Sequence, residues 1–379
     1  MQEIYLDHAA TTPVHPDVLE AMLPYYRDAH GNPSSMHRFG QRTRHVVDDA
    51  RTVIARAINA APGEIIFTSG GTEADNMALI GVMEANKEKG KHIITSQIEH
   101  HAVLHTCEYL EALGYEVTYL PVDEMGRVAV EDVEQAIRPD TVLISIMFGN
   151  NEVGTLQRVG KIGKLAMEHQ VYFHTDAVQA FGIEEIDVKR LHIDLLSVSA
   201  HKINGPKGIG ALYVRRGIKI ASRMHGGNQE KKRRAGTENV PGIAGFARAV
   251  EIAMKTREAR RAEYMKLRTA MLRVWDEQKI QYVLNGHPEF YMPHILNVSF
   301  PQIKTDAMLM HLDLVGVAGA SGSACTSGSL EISHVLTAMN LPQERLVSAI
   351  RFSFGYGNDE AQVQEAAERI AHILTRSQE

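Results

Sequence analysis

The sequence predicts an α/β protein with a large domain on a mostly parallel, seven-stranded sheet and a smaller α+β domain. Three observations predict this architecture. Short β-branched runs alternate with helical stretches from about residue 64 to residue 214, several of these runs are apolar nearly throughout, and the character of the chain changes after residue 245. Alternation favours a parallel sheet, and apolar runs indicate strands that are buried on both faces.

The predicted elements follow in chain order. The seven strands lie at 65–68, 92–96, 117–120, 141–147, 172–175, 195–199 and 210–214, with helices such as 72–89 and 102–113 between them. A long charged helix is predicted over roughly 243–277. Further elements at 296–300, 306–314 and 350–354 precede a last helix at 359–375. We therefore predict a large domain over 15–255 and a small domain formed by 1–14 and 256–379.

Composition excludes several classes of protein. The 379 residues include 40 Lys+Arg and 46 Asp+Glu, a net charge of −6, which argues against a protein that coats nucleic acid. We expect no signal peptide and no membrane span, because the start lacks a basic, apolar leader and no apolar stretch nears the roughly 20 residues required. Two cysteines, Cys107 and Cys325, are too few for a disulfide scaffold or a four-thiolate zinc site, which predicts a cytoplasmic protein.

The loop at 68–76 follows one strand and opens a helix. Its glycines allow close approach of the backbone, and free N–H groups at a helix N-terminus bind anions such as phosphate. The alternative is a simple helix start, with Thr72 as the capping residue and Asp75 favoured by the helix dipole. Neither the dinucleotide-binding nor the P-loop glycine pattern occurs in the chain, which disfavours both chemistries.

Two further strand ends carry ionisable residues. Asp176 is either a structural acid or the partner of a cation, and burial near a cation would keep it ionised. Lys202 lies among small residues and is a candidate for a desolvated lysine that forms a Schiff base, although most lysines are simply exposed. Residues 199–202 also match the S-x-x-K of serine acyl-transferases, but the K-T-G and S-D-N companions are absent.

Polar residues follow two other strands. His101 and His105 have the i, i+4 spacing of a zinc site, but no H-E-x-x-H occurs, so capping or hydrogen bonding is the favoured role for histidines here. The composition of residues 150–154 predicts a turn. This turn is a candidate part of a site only because it lies among the other polar strand-end loops.

The second domain contains an unusual loop at 319–329, in which ten of eleven residues are small and the other is Cys325. A cysteine on a helix, such as Cys107, normally packs as a small hydrophobe. A Gly/Ser loop offers little packing to hold a thiol, and six such residues span about 20 Å. We therefore expect Cys325 to be reactive.

Together these segments resemble the NifS/IscS-type cysteine desulfurases of the class V aminotransferase family, which are fold-type I pyridoxal-phosphate enzymes. The resemblance runs from residues 5–12 to residues 351–355, and its most diagnostic strings lie at 199–202, 205–208 and 321–327. It implies that Lys202 holds pyridoxal phosphate as a Schiff base, that Asp176 pairs with the ring nitrogen, and that Gln179 hydrogen-bonds the phenolic oxygen. It also implies that His100 stacks on the ring and assists proton transfer.

The resemblance implies binding sites for two more groups. It implies that Gly71, Thr72, Ser199 and His201 bind the cofactor phosphate. Thr237 of the neighbouring subunit of a homodimer is expected to bind the same phosphate. It also implies that Asn151 and Arg351 bind the carboxylate of the substrate, L-cysteine, and that Arg351 does so through two hydrogen bonds.

The implied reaction removes sulfur from L-cysteine. The amine of Lys202 moves the Cα proton, and the Cys325 thiolate attacks the substrate sulfur, which yields a Cys325 persulfide and L-alanine. Only a thiolate is nucleophilic, so His100 or a group on the substrate must take the thiol proton.

The sulfur acceptor is predicted from residues 231–239, which resemble shorter bacterial desulfurases that supply sulfur for tRNA thiolation. The chain stops at Glu379 soon after its last predicted helix, whereas iron–sulfur assembly members carry an extended tail. We therefore expect a tRNA 2-thiouridylase as acceptor, with an iron–sulfur scaffold as the alternative. Another pyridoxal-phosphate reaction, such as transamination or selenocysteine cleavage, and a non-enzymatic role are competing functions; the set of Lys202, Asp176 and Cys325 argues against the last.

Overall fold

A computed structural model describes residues 2–322 and 332–376. Its strands are β1 (Ile4–Tyr5), β2 (Ile65–Thr68), β3 (His92–Ser96), β4 (Glu116–Leu120), β5 (Thr141–Ser145), β6 (Tyr172–Asp176), β7 (Leu195–Ser199), β8 (Gly210–Val214), β9 (Val283–Asn285), β10 (Ile295–Ser299), β11 (Val317–Ala318) and β12 (Ala349–Ser353). Its α-helices are α1 (Pro16–Arg27), α2 (Arg38–Ala57), α3 (Gly71–Ala85), α4 (His101–Ala112), α5 (Val130–Ala136), α6 (Val159–Glu168), α7 (Val240–Glu277), α8 (Thr305–Leu314), α9 (His334–Ala338), α10 (Gln343–Leu346) and α11 (Glu360–Arg376).

The large sheet has seven strands in the order β2-β8-β7-β6-β5-β3-β4. Neighbouring strands are parallel from β7 through β6, β5 and β3 to β4, and β8 runs antiparallel to both β2 and β7. The predicted strands and the mostly parallel sheet are thus confirmed. The largest shift is in β5, which ends at Ser145 because the next residues leave the sheet and the amide of Met147 bonds the side chain of Glu99 instead.

Successive residues of the large sheet pack into two separate cores, because side chains along a β-strand point alternately to its two faces. Ile94, Ile144 and Leu196 belong to one cluster of buried side chains. Their neighbours Ile93, Leu143 and Leu195 belong to the other. Both faces of these strands are therefore covered, which explains why the sequence shows continuous apolar runs rather than alternation.

A smaller three-stranded antiparallel sheet, β12-β10-β9, packs with α11 around Trp275. The Trp275 indole is fully buried, meets Phe300 edge-on and donates a hydrogen bond to the carbonyl of Ala367 (3.1 Å). Strand β1, near the N-terminus, pairs with β11 and so joins the same region.

Helix α7 links the two regions as one continuous element. Its first part, through Ala253, packs in the core of the large sheet, and its second part, from Tyr264, packs in the core around Trp275. The predicted domain boundary near 255 falls between these two contacts, and the division into domains stays a prediction. None of the helices in 2–322 and 332–376 has the length and apolarity that a bilayer crossing demands.

Candidate active site

A cavity of about 350 Å³ opens where the parallel strands of the large sheet end. Ten of the twelve residues predicted for the site line it: Gly71, Thr72, His100, Asn151, Asp176, Gln179, Ser199, His201, Lys202 and Arg351. Thr237 is exposed and does not line this cavity, and Cys325 lies outside the described residues.

Sheet topology explains why these side chains meet. The carboxyl ends of parallel strands share one edge, so the loops that follow them converge there. His100 follows β3, Asn151 follows β5, Asp176 ends β6, and Lys202 comes three residues after β7.

The start of α3 forms one wall of the cavity. Gly70 takes the N-cap position, so Thr72 lies inside the first turn and the alternative in which it caps the helix is wrong. The chain is pressed against its neighbours here, because a Cβ on Gly71 would come within 2.7 Å of Cγ2 of Val178. The first amide N–H groups of a helix have no intrahelical partner, so this wall presents donors to an anion.

The N-terminal segment 7–10 closes the opposite side. The ammonium of Lys202 donates hydrogen bonds to the carbonyls of Ala9 and Ala10, the latter at 2.8 Å. The amide nitrogen of Gln179 donates to the same Ala9 carbonyl at 2.8 Å. Backbone carbonyls from the start of the chain thereby fix the positions of two side chains that the large sheet supplies.

Asp176 is a buried carboxylate whose charge depends on its neighbours. Burial raises its pKa to about 6, while the amide of Val178, which donates to Oδ1 at 2.8 Å, and the charge of Lys202 act in the opposite direction. The carboxylate is therefore ionised near pH 7 and attracts a cation in the cavity.

A second group of polar residues, Asp75, Glu99 and His174, is buried beside Asp176. Burial raises the pKa of Asp75 well above its usual range and that of Glu99 to about 8, and it lowers the pKa of His174 to about 3. The contact between His174 Nε2 and Asp75 Oδ1 (3.5 Å) therefore joins two neutral groups rather than an ion pair. At pH 7, burial therefore keeps these three side chains uncharged, and Asp176 is the ionised member of the group.

His100 lines the cavity, and its ring is neutral at pH 7. Burial, then the charge of Lys202, lowers its pKa to about 4. Its Nδ1 accepts the amide N–H of Ala102 (3.0 Å) as the N-cap of α4, so in the neutral ring the proton lies on Nε2. The His101 and His105 rings stack at 4.9 Å, but in the described part of the chain no set of three or more His, Cys, Asp or Glu residues has the arrangement of a metal site.

Arg351 is the second cation of the cavity and is 4% exposed. One terminal nitrogen donates to Asp7 Oδ1 at 2.8 Å, and the other donates to the carbonyl of Asn151 at 3.1 Å. Its backbone pairs with Ala320, just before Gly322, which also lines the cavity. The described chain that leads to Cys325 therefore ends at the cavity wall.

Sequence reasoning assigned no site role to Asp7, Asp75 or Glu99. Asp75 entered only through the alternative of a simple helix start, as an acid favoured by the helix dipole, but it is 1% exposed and faces the cavity. Asp7 lies within the N-terminal segment that carries the family resemblance, and this was the one available signal. Glu99 directly precedes His100, and nothing in its local pattern marks it as buried.

Comparisons with known proteins agree with this geometry. The aminotransferase class-V family model matches residues 4–365. The cysteine desulfurase IscS of Methanosarcina thermophila is 51% identical over 98% of this chain and 92% of its own. Among solved structures, a NifS-like protein matches with a TM-score of 0.93 and 37% identity over 99% of this chain and 100% of that one. A structure described as SspA in complex with cysteine matches with a TM-score of 0.84 and 38% identity over 93% and 99% of the two chains.

Proposed function

The chain belongs to the class V aminotransferase family and is a pyridoxal-phosphate-dependent cysteine desulfurase, and we propose how its residues divide this reaction. The observation that carries the proposal is the convergence of Lys202, Asp176 and Arg351 on one cavity. An amine, a buried carboxylate and a guanidinium are the groups that a cofactor aldehyde, a ring nitrogen and a substrate carboxylate require.

The cavity fits pyridoxal phosphate. The α3 start, where a Cβ on Gly71 would clash, leaves room for backbone donors to approach a phosphate, and Thr72, Ser199 and His201 lie beside it. Lys202 would hold the cofactor covalently, and Asp176 would pair with its ring nitrogen. When bound, the cofactor supplies an electron sink for the bonds at the substrate Cα.

Lys202 also moves a proton. Once the substrate amine has displaced it, the Nζ amine would be the base that takes the proton from the substrate Cα. The carbonyls of Ala9 and Ala10 accept hydrogen bonds from Nζ and orient it towards the cavity.

Arg351 and Asn151 bind the α-carboxylate of L-cysteine. The Arg351 guanidinium is almost fully buried, and its Nε has no hydrogen-bond partner among the described residues. A buried N–H without a partner costs free energy, which a carboxylate ligand removes.

His100 would pack against the cofactor ring, with its Nε2–H towards the cavity. Because Nδ1 already accepts the amide of Ala102, this tautomer donates a hydrogen bond and has no free site for the proton of a thiol. Of the two acceptors predicted for that proton, the group on the substrate is therefore favoured over His100.

Cys325 receives the sulfur. It follows Gly322 by three residues, which span at most about 11 Å of chain. The thiolate attacks the substrate sulfur, so that an S–S bond forms and the Cβ–S bond breaks. The electron pair of the broken bond stays with the carbon fragment, which takes up a proton and leaves as L-alanine.

The acceptor of the persulfide sulfur is a tRNA 2-thiouridylase, with an iron–sulfur scaffold as the alternative. Support comes from the stretch at 231–239, which resembles that of shorter bacterial desulfurases that supply sulfur for tRNA thiolation. We assign its basic residues to the proposed homodimer instead, in which Thr237 completes the phosphate site of the neighbouring subunit. Arg234 is paired with Glu73 (2.8 Å), and Lys231 and Lys232 are exposed.

Two experiments test these proposals. The cofactor-loaded protein, given L-cysteine, should release L-alanine in proportion to the sulfide or persulfide formed; amino transfer to an added keto acid instead would favour transamination. Labelled sulfur from the persulfide enzyme should pass to a purified tRNA 2-thiouridylase faster than to a purified scaffold protein. The reverse preference would contradict the proposed acceptor.

A further inference from the structure

A carboxylate of the chain itself is bound to the arginine that is proposed to bind the substrate. Asp7 Oδ1 accepts a hydrogen bond from Arg351 at 2.8 Å, and both residues line the cavity. The guanidinium has five N–H groups, of which Asp7 and the carbonyl of Asn151 each engage one. A substrate carboxylate therefore finds donors on Arg351, but it binds next to a negative charge.

The backbone holds Asp7 in this place. Asp7 pairs with Ser353 in a β-bridge, the amide of Ser353 donates to the carbonyl of Leu6 at 2.7 Å, and the amide of Ala9 donates to Ser353 Oγ at 2.8 Å. Ser353 lies two residues beyond Arg351 on the same strand, β12. The backbone of Asp7 is thus fixed beside the strand that carries Arg351, which keeps the Asp7 carboxylate within hydrogen-bonding reach of the guanidinium.

The charged residues of the described cavity wall already have roles. Arg351 is proposed to bind the α-carboxylate and Lys202 to hold the cofactor, and the other two, Asp7 and Asp176, are carboxylates. Burial lowers the pKa of both His100 and His201 to about 4, so neither ring adds positive charge at pH 7. No described cation of the wall is left over for a second negative group on a substrate.

We propose that Asp7 is a specificity-determining residue, which excludes amino acids whose side chains are negatively charged. The proposal rests on the proposed function, because it takes Arg351 as the site of the α-carboxylate. A neutral side chain, such as that of cysteine, adds no charge near Asp7, whereas an anionic side chain in the same cavity is repelled by it.

The test compares two ligands of equal shape and different charge, L-aspartate and L-asparagine. Their dissociation constants are measured by calorimetry on the cofactor-loaded wild type and on Asp7→Asn, Asp7→Glu and Asp17→Asn. We expect the ratio of the L-aspartate constant to the L-asparagine constant to fall at least about tenfold in Asp7→Asn. Asp7→Glu keeps the charge and Asp17, at the surface with Arg248, is remote, so both should keep the wild-type ratio.

The proposal would be overturned if the ratio of the two dissociation constants were the same in Asp7→Asn as in the wild type. This holds even if both ligands bound more weakly, because equal weakening is expected if Asp7 only holds Arg351 in place. Release of L-alanine from L-cysteine by the wild type is measured separately. Its absence would refute the desulfurase activity, whereas the ratio of constants reports on Asp7 alone.

Discussion

The two sides of the cavity are built in different ways. On the sheet side, Gly71, His100, Asp176 and Lys202 each belong to a loop or strand end of one sheet. On the carboxylate side, Asp7 and Arg351 come from distant segments, 344 positions apart, and meet Asn151 of the loop after β5. The sheet side is therefore set by strand order, whereas the carboxylate side exists only when the N-terminal segment and β12 pack together.

The two sides also treat charge differently. Burial on the sheet side makes His100 and Asp75 neutral by shifting the pKa of each, and leaves Asp176 ionised beside Lys202. The carboxylate side instead keeps an ion pair between Arg351, which is buried, and Asp7, which is partly exposed. We infer that the sheet side performs the chemistry and the carboxylate side selects the substrate, and this division predicts different kinetic effects of mutation.

The largest effect is expected on the sheet side. Lys202→Ala should lower the rate of L-alanine formation at least about a thousandfold, because the variant lacks both the cofactor-binding amine and the base. Lys207→Ala, five residues further on and exposed, is the matched control and should keep wild-type activity. Comparable losses in the two variants would remove Lys202 from its proposed role.

A smaller effect of a different kind is expected on the carboxylate side. Arg351→Lys should raise the KM for L-cysteine roughly tenfold to a hundredfold with a smaller change in kcat, since lysine cannot bind a carboxylate bidentately. Steady-state kinetics measure both constants, and Arg273→Lys at the surface is the control. A fall in kcat at constant KM would instead place Arg351 among the groups that act on the chemical step.

His100→Ala should have an intermediate effect, about tenfold on the rate of persulfide formation, which is the value of one aromatic packing contact. The wild-type rate should show no step between pH 5 and 8 that is absent in the variant, because the pKa of His100 is lowered to about 4 by burial. Single-turnover measurements across this range test the point. A step that disappears with His100 would restore it as the proton acceptor.

The last effect is on stability rather than on activity, and it concerns the buried acids behind the sheet side. Burial raises the pKa of Glu99 from 4.5 to about 8, so between these values the folded protein binds one more proton than the unfolded chain. The free energy of unfolding of the wild type should then fall as pH rises from 5 to 8, by at most about 1.4 kcal/mol per unit from this group.

Glu99→Gln removes this proton and keeps the shape of the side chain. Urea unfolding of the cofactor-free variant should therefore show a weaker decline between pH 5 and 8 than the wild type. Glu108 is exposed on α4, the helix that follows Glu99, and is the matched control. Glu108→Gln should show the same decline in the free energy of unfolding as the wild type. Parallel curves for Glu99→Gln and the wild type would mean that Glu99 is ionised in the folded protein.

The residues that the sequence marks on the sheet side do line the cavity, because the signals for their positions are local, while their roles stay predictions. Asp176 and Lys202 stand at the ends of apolar strands, and the glycines before α3 mark a close approach of the backbone. The burial of Asp75 could not be predicted, since its place in α3 says nothing about which face of the helix is buried. The role of Asp7 could not be predicted from pattern, because its partner Arg351 is brought near only by the pairing of segments far apart in the chain.

The central claim is that sulfur passes from L-cysteine to Cys325 in a reaction that needs Lys202. Mass spectrometry of peptides from the cofactor-loaded protein, after exposure to L-cysteine without reductant, tests it most directly. We expect one added sulfur atom on the Cys325 peptide of the wild type and none in Lys202→Ala or on the Cys107 peptide, whose thiol is buried. Sulfur on Cys325 in the Lys202 variant, or its absence from Cys325 in a wild type that forms L-alanine, would contradict the account.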